Sequence, residues 1–167
     1  MGLRLTSATD YAIRAMIHLG CLPEDGQALR DEIARAENIP TSFMAKVLRR
    51  LVRAQLLRSS RGVHGGFTLA RPGSEITMLE IVEAIEGPLG LIDCGIEDGC
   101  DRSCSCPAAP VWVHVQAQVE SILAGTTLED LVSAPRRNGR VTEVPHLRAV
   151  DPPPVHETDD RRDHGVA

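Results

Sequence analysis

The feature that most constrains the fold of this 167-residue chain is a glycine-rich turn that follows two short helical patterns in the sequence. The helical patterns cover residues 28–36 and 40–54, and Pro40 suits the first turn of the second helix. Residues 58–71 follow, with strand-like pieces on either side of a tip that contains three glycines, which predicts a β-hairpin. Two helices joined by a turn and followed by such a hairpin form a winged helix-turn-helix.

Further helical patterns make the predicted fold mainly α with a small β-hairpin. The first helix covers residues 8–20, and later helices begin at Thr77, at residue 111 and near Leu128. We expect a winged-helix domain over residues 1–90, a cysteine-containing loop over residues 91–107, a long helix with a closing helix over residues 108–134, and a disordered tail over residues 135–167. No stretch resembles a signal peptide or a membrane-spanning helix, so we expect a cytoplasmic protein.

The long helix carries an apolar stripe that too few other elements remain to cover. The stripe consists of Trp112, Val115, Val119, Ile122 and Leu123. A second copy of the chain would bury such a stripe, so the pattern predicts a homodimer.

Charge divides the chain into unlike parts. Residues 1–71 carry 11 Lys and Arg against 6 Asp and Glu, whereas residues 72–134 carry 1 against 11. A basic segment in a protein of net charge −5 is typical of a nucleic-acid-binding face, although an uneven solvated surface would give the same balance.

The second helix of the helix-turn-helix is the expected DNA-recognition helix, with an apolar face that includes Phe43 and Val47. Its first exposed side chains would contact base edges in the major groove, and later arginines suit phosphates. Arg61 at the hairpin tip would enter the minor groove, with His64 beside it. The predicted base-contacting residues are Thr41, Ser42, Ala45 and Lys46, and the predicted phosphate-contacting residues are Arg49, Arg50 and Arg53.

Cysteines are concentrated in one loop, where Cys94, Cys100 and Cys106 are separated by gaps of five residues. Thiolates converging from a flexible loop suit zinc or an iron–sulfur cluster, and the long gaps favour the larger cluster. Cys104 lies two residues from Cys106, so it is the weaker candidate for a ligand. The pattern therefore indicates a metal site attached to a DNA-binding domain.

The ordered motifs of residues 3–132 resemble the Rrf-type family of bacterial winged-helix regulators, which includes iron–sulfur regulators and nitric-oxide sensors. The similarity is carried by the motifs Asp10-Tyr-Ala, Ile39-Pro-Thr-Ser-Phe-Met-Ala-Lys46, Arg61-Gly-x-x-Gly-Gly-Phe67, Ile81-Val-Glu-Ala-Ile-Glu-Gly87, the spaced cysteines and Thr127-Leu-Glu-Asp-Leu131. The resemblance implies a homodimer on a partly palindromic double-stranded operator. It also implies that Cys94, Cys100 and Cys106 hold an iron–sulfur cluster.

The fourth cluster ligand separates the branches of that family. Ala109 stands where the IscR-like branch has a histidine, whereas Asp10 matches the aspartate that the NsrR-like branch donates from the other subunit. The resemblance thus favours a 4Fe–4S cluster over 2Fe–2S, with Asp10 of the partner subunit as an oxygen ligand. A cap on the first helix is the alternative role for Asp10.

Together these features predict a dimeric, non-enzymatic transcriptional repressor that senses nitric oxide, redox or iron–sulfur status through its cluster. One alternative keeps the winged helix and replaces the cluster with zinc or a thiol switch. Another is an iron–sulfur protein or electron carrier without specific DNA binding.

Overall fold

The computed structural model describes residues 5–23, 26–62, 65–90, 106–137 and 140–141. Its elements, in chain order, are α1 (Ser7–Gly20), α2 (Arg30–Ala36), α3 (Thr41–Arg53), β1 (Leu57–Ser60), β2 (Gly66–Leu69), a 3-10 turn (Gly73–Glu75), α4 (Met78–Glu86), α5 (Ala109–Gly125), α6 (Leu128–Ser133), β3 (Arg136–Arg137) and β4 (Arg140–Val141). The predicted fold class, mainly helical with a winged helix and a later long helix, is confirmed. None of the helices described is long and apolar enough to cross a membrane.

One aliphatic core joins α1, α2, α3, α4 and α6. Met16, Ile33, Leu48, Leu51 and Ile81 are among its fully buried side chains. On α1, α3 and α4 the buried positions recur mainly three or four residues apart, so one face of each of these helices meets the core.

Two helices begin at the same kind of cap. The Thr77 hydroxyl accepts the Glu80 N–H at 3.2 Å while the Glu80 carboxylate accepts the Thr77 N–H at 2.9 Å. Thr127 and Asp130 repeat this reciprocal arrangement at α6. Gly87 ends α4 with φ +86°, a left-handed conformation that favours glycine.

The wing is an antiparallel pair in which Leu57 lies opposite Leu69 and Ser60 lies opposite Gly66. Ala28 extends this sheet, because it exchanges backbone hydrogen bonds of 3.1 and 2.9 Å with Phe67. The sequence predicts that this helix begins at residue 28. It begins at Arg30 instead, because Ala28 pairs with the wing.

Two other boundaries differ from the sequence-based expectations. Pro40 is the N-cap of α3 and does not lie within its first turn. In the expected tail, Arg136–Arg137 pairs with Arg140–Val141, so the tail does not begin as disordered chain at residue 135. The predicted disorder of residues 142–167 falls outside the described residues.

Candidate DNA-binding surface and cluster ligands

Helix α3 presents a polar and cationic face opposite its buried one. Met44, Val47, Leu48 and Leu51 face the core with spacings of three and four residues. The exposed predicted DNA-contacting residues are Thr41, Ser42, Lys46, Arg49, Arg50 and Arg53, while Ala45 is half-buried. The sequence therefore placed these side chains on the surface correctly, and their contacts with DNA remain a prediction.

The three arginines of this face differ in their surroundings. Arg49 borders an open cleft of about 290 Å³ between α3 and the wing, lined also by Arg30, Ser59 and Phe67. A cationic cleft of this kind suits a backbone phosphate. Arg50 instead donates a hydrogen bond of 2.7 Å to the carbonyl of Ile85, so it ties α3 to the end of α4.

Arg61 lies exposed at the wing tip, as predicted, next to Gly62. Gly62 has φ +110°, and the N–H of Gly65 donates to its carbonyl at 2.9 Å. The backbone thus turns tightly and extends Arg61 away from the core. His64 lies outside the described residues.

Phe43 is a surface residue, which corrects its predicted place on the apolar face of α3. Its side chain is 52% exposed, and Met44 occupies the buried position instead. The Phe43 ring meets the ring of Tyr11 edge-on, with centroids 6.4 Å apart, and Lys46 Nζ lies 5.7 Å from the Phe43 centroid. The core spacing of residues 44, 47, 48 and 51 was the signal that could have placed Phe43 outside.

Asp10 lies in the first turn of α1 with its carboxylate largely in solvent. Asp10 forms an ion pair of 3.5 Å with Arg14, and the exposed fraction of the Asp10 side chain is 61%. Arg14 also contacts Glu37, through the carboxylate at 3.3 Å and through a short hydrogen bond to the backbone carbonyl. Asp10 is thereby connected to the turn between α2 and α3.

Glu86 accepts hydrogen bonds at the start of α1, where Asp10 also lies in the first turn. The Glu86 carboxylate accepts hydrogen bonds from the Thr6 N–H at 3.1 Å, from the Thr6 hydroxyl at 2.6 Å and from the buried Thr9 hydroxyl. Partial burial alone would raise the pKa of Glu86, but these hydrogen bonds and the charge of Arg50 outweigh burial and hold its pKa below the ordinary value. Sequence reasoning missed Glu86 because its partners lie about eighty residues away.

Helix α5 has no buried residue. The exposed large apolar side chains on it are Val111, Trp112, Val113, Val115 and Ile122. Val119 and Leu123, which belong to the predicted stripe, are half-buried against the rest of the chain. An apolar helix surface of this kind suits burial against a second protein surface.

Comparison with known proteins agrees with this arrangement. Residues 5–134 match the Rrf2 family, described as "Iron-dependent Transcriptional regulator". The chain belongs to the Rrf2 family. It is a DNA-binding transcriptional regulator and not an enzyme.

Relatives of this Rrf2 protein carry corresponding names. An HTH-type transcriptional regulator of Mycobacterium tuberculosis is 35% identical over 130 residues, which cover 77% of this chain and 81% of that protein. Among solved structures, CymR, the global cysteine regulator of B. subtilis, superposes with a TM-score of 0.67 at 25% identity, covering 80% of this chain and 99% of CymR. IscR of T. potens superposes with a TM-score of 0.64 at 26% identity, covering 79% of this chain and 88% of IscR.

Only part of the predicted set of cluster ligands lies within the described residues. Cys106 is half-buried immediately before α5, whereas Cys94, Cys100 and Cys104 lie outside the described residues. Within the described part of the chain, no three His, Cys, Asp or Glu side chains converge as a metal site. The Cys106 thiol and the exposed Asp10 carboxylate are both chemically suited to iron, and their joint ligation remains a prediction.

Proposed function

We propose that this Rrf2 regulator is a homodimeric repressor whose operator affinity depends on an iron–sulfur cluster. Cys94, Cys100 and Cys106 supply the thiolates, and Asp10 of the partner subunit supplies the fourth ligand to a 4Fe–4S cluster. The proposal rests on a run of spaced cysteines in a chain that matches iron-dependent regulators over residues 5–134. When bound, the cluster supplies a site that nitric oxide or an oxidant can attack.

The dimer is supported by the exposed face of α5. Trp112, Val115 and Ile122 are 43%, 36% and 40% exposed, and Glu120 is the only acid or base in the helix apart from His114. Pairing of two such helices removes apolar surface from water without burying many charges. A dimer also matches a partly palindromic operator, since two recognition helices then face two half-sites.

The residues around Asp10 provide a route from the cluster to DNA. Asp10 contacts Arg14, and Arg14 holds the carbonyl of Glu37, four residues before α3 begins. A carboxylate that serves as a metal ligand no longer neutralises Arg14 in the same way, so the contacts of Arg14 with Glu37 change. Such a change shifts α3 together with α1 relative to the partner subunit, and a small change in the spacing of the two recognition helices weakens operator binding.

The first experiment is an ultraviolet–visible spectrum, with iron and sulfide determination, of full-length protein purified without oxygen. A broad band and about four irons per chain support the proposed cluster, and about two irons favour the 2Fe–2S form. The Cys94→Ala, Cys100→Ala and Cys106→Ala variants should lose the colour. Cys21→Ala is the matched control, because Cys21 is an exposed thiol outside the cysteine run.

Operator binding is then compared between cluster-loaded and cluster-free protein. Duplexes selected from a random pool by the loaded protein should bind the loaded form at least tenfold more tightly. Equal affinity of the two forms would contradict a cluster-dependent repressor.

A zinc site or a thiol switch is the second candidate, and Cys104 favours it. Cys104 gives the run a fourth thiol, which completes the tetrahedral set that structural zinc prefers. Colourless protein with about one zinc per chain, together with retained operator binding, would support this alternative over the cluster.

A further inference from the structure

Phe43 is an apolar ring held on the surface of α3, where DNA recognition is expected. Isolated exposed hydrophobic residues are common on proteins and do not by themselves indicate a binding site. Phe43 differs because it occupies the first turn of α3, between the exposed polar residues Ser42 and Lys46. The amino-terminal residues of a recognition helix are the ones that reach base edges in the major groove.

The surroundings of Phe43 fix the ring and do not cover it. The Tyr11 ring packs edge-on against it at an interplanar angle of 70°, and Lys46 Nζ lies 5.7 Å from its centroid. About half of the side chain nevertheless stays exposed. A ring already held in place loses little conformational freedom when it makes a further contact.

Base edges in the major groove offer one apolar group to such a ring. Thymine presents its C5-methyl group there, whereas adenine, guanine and cytosine present hydrogen-bond donors and acceptors. A phenyl ring has no hydrogen-bonding group with which to distinguish the other bases. Lys46, beside the ring, can donate hydrogen bonds to a phosphate or to a guanine edge.

We propose that Phe43 contacts a thymine C5-methyl group and specifies thymine at one position of each operator half-site. The inference rests on α3 being the DNA-recognition helix of this regulator. It adds an apolar contact to the polar contacts expected from Ser42 and Lys46. Tyr11 acts as a positioning residue, because it supports the ring from α1.

The test uses deoxyuridine, which differs from thymidine only by the missing methyl group. Duplexes are first selected from a random pool by anaerobically purified full-length protein. Each thymine of the selected sequence is then replaced singly by deoxyuridine, and affinity is measured by fluorescence anisotropy. We expect one position per half-site at which the replacement lowers the affinity of the wild-type protein about three- to tenfold. This range follows from the transfer free energy of a buried methyl group.

Variants assign this effect to the ring. Phe43→Ala should bind the thymine and deoxyuridine duplexes equally, whereas Phe43→Leu should retain part of the difference. Arg49→Ala is the matched control, since it should weaken binding to both duplexes by the same factor and preserve the ratio of their affinities. Circular dichroism and thermal melting check folding, and the exposure of Phe43 predicts little change in either.

The outcomes separate this inference from the proposed function. Specific binding with no position sensitive to the methyl group would overturn the role of Phe43 and leave the regulator intact. A sensitive position that persists in Phe43→Ala would do the same. A pool that yields no specific sequence would overturn both.

Discussion

Replacement of Glu86 by alanine should destabilise the fold by about 2 kcal/mol, because Glu86 is the acceptor for three donors at the start of α1. Two of these donors belong to Thr6, which is exposed, so water can replace the lost carboxylate there. The third is the Thr9 hydroxyl, in a side chain that is fully buried. The loss at Thr9 therefore dominates the expected effect.

The magnitude follows from two contributions. A buried hydroxyl left without a partner costs about 1–3 kcal/mol, and the Thr6 hydroxyl, 3.5 Å away, is too distant to replace the carboxylate well. Loss of a negative charge at a helix N-terminus costs about 0.3–1 kcal/mol. If the free energy of unfolding falls by about 2 kcal/mol for each molar of urea, the midpoint urea concentration should fall by about 1 M.

The assay is urea unfolding of cluster-free protein in reducing buffer, followed by circular dichroism at a fixed protomer concentration. Fixing the concentration is necessary because association of subunits shifts apparent stability. Glu83→Ala is the matched control, since Glu83 lies on the same helix, is exposed, and accepts a long hydrogen bond of 3.4 Å from the N–H of Leu89. It should change the free energy of unfolding by less than about 0.5 kcal/mol.

A double-mutant cycle with Thr9→Val isolates the buried hydrogen bond. Valine removes the hydroxyl while nearly preserving its volume, so Glu86→Ala should cost about 1–2 kcal/mol less in that background. Equal costs in the two backgrounds would refute the reasoning, because the Glu86–Thr9 contact would then contribute nothing. So would a Glu86→Ala variant that unfolds with the midpoint of the wild type.

Three other outcomes are expected. Arg49→Ala should lower the affinity for all duplexes by a similar factor and reduce the slope of log affinity against log salt by about one. An unchanged slope would exclude a phosphate contact. Val115→Glu should convert the dimer to monomer in sedimentation velocity at micromolar concentration. Ala117→Glu, on a different side of α5, should not do so. A dimeric Val115→Glu variant would place the interface elsewhere. Burial would raise the pKa of Glu80 and Glu86, but hydrogen bonds from Thr77, Thr6 and Thr9 and nearby arginines lower both pKa values below the ordinary one. Both carboxylates therefore stabilise the fold fully above the ordinary glutamate pKa of about 4.3. That stability should disappear as pH falls through their lower folded-state pKa values, and the effect of Glu86→Ala on the urea midpoint should shrink with it.

The local features of this chain could be predicted from its sequence because they depend on neighbouring residues. Thr77 and Thr127 each stand three residues before an acid, and both begin helices with reciprocal caps. The winged helix likewise follows from helical spacing and a glycine-rich tip. The pairing of Arg136–Arg137 with Arg140–Val141 was not predicted, because the polar composition of this segment favoured disorder.

Contacts between distant segments could not be predicted in the same way. The Arg14–Glu37 and Glu86–Thr9 contacts join residues whose separation in sequence carries no periodic signal. Phe43 was misplaced for a different reason, since a large apolar residue beside Met44 satisfies a helical face almost as well as Met44 does. The spacing of residues 44, 47, 48 and 51 favours Met44 as the buried residue only slightly, and the packing of α3 in the core buries it.

The first turn of α1 combines one strong connection with one weak connection. The Glu86–Thr9 hydrogen bond is buried at its donor, so it holds α1 and α4 together, and Arg50 extends this assembly to α3 through the carbonyl of Ile85. The Asp10–Arg14 pair is exposed at Asp10 and only half-buried at Arg14, so it contributes about 0.2–0.5 kcal/mol. Asp10 can therefore leave Arg14 at little cost while α1 stays fixed to α3 and α4. A residue proposed to alternate between an arginine and an iron requires this combination, because a change of partner at Asp10 is then transmitted through a rigid helix and is not lost in local unfolding.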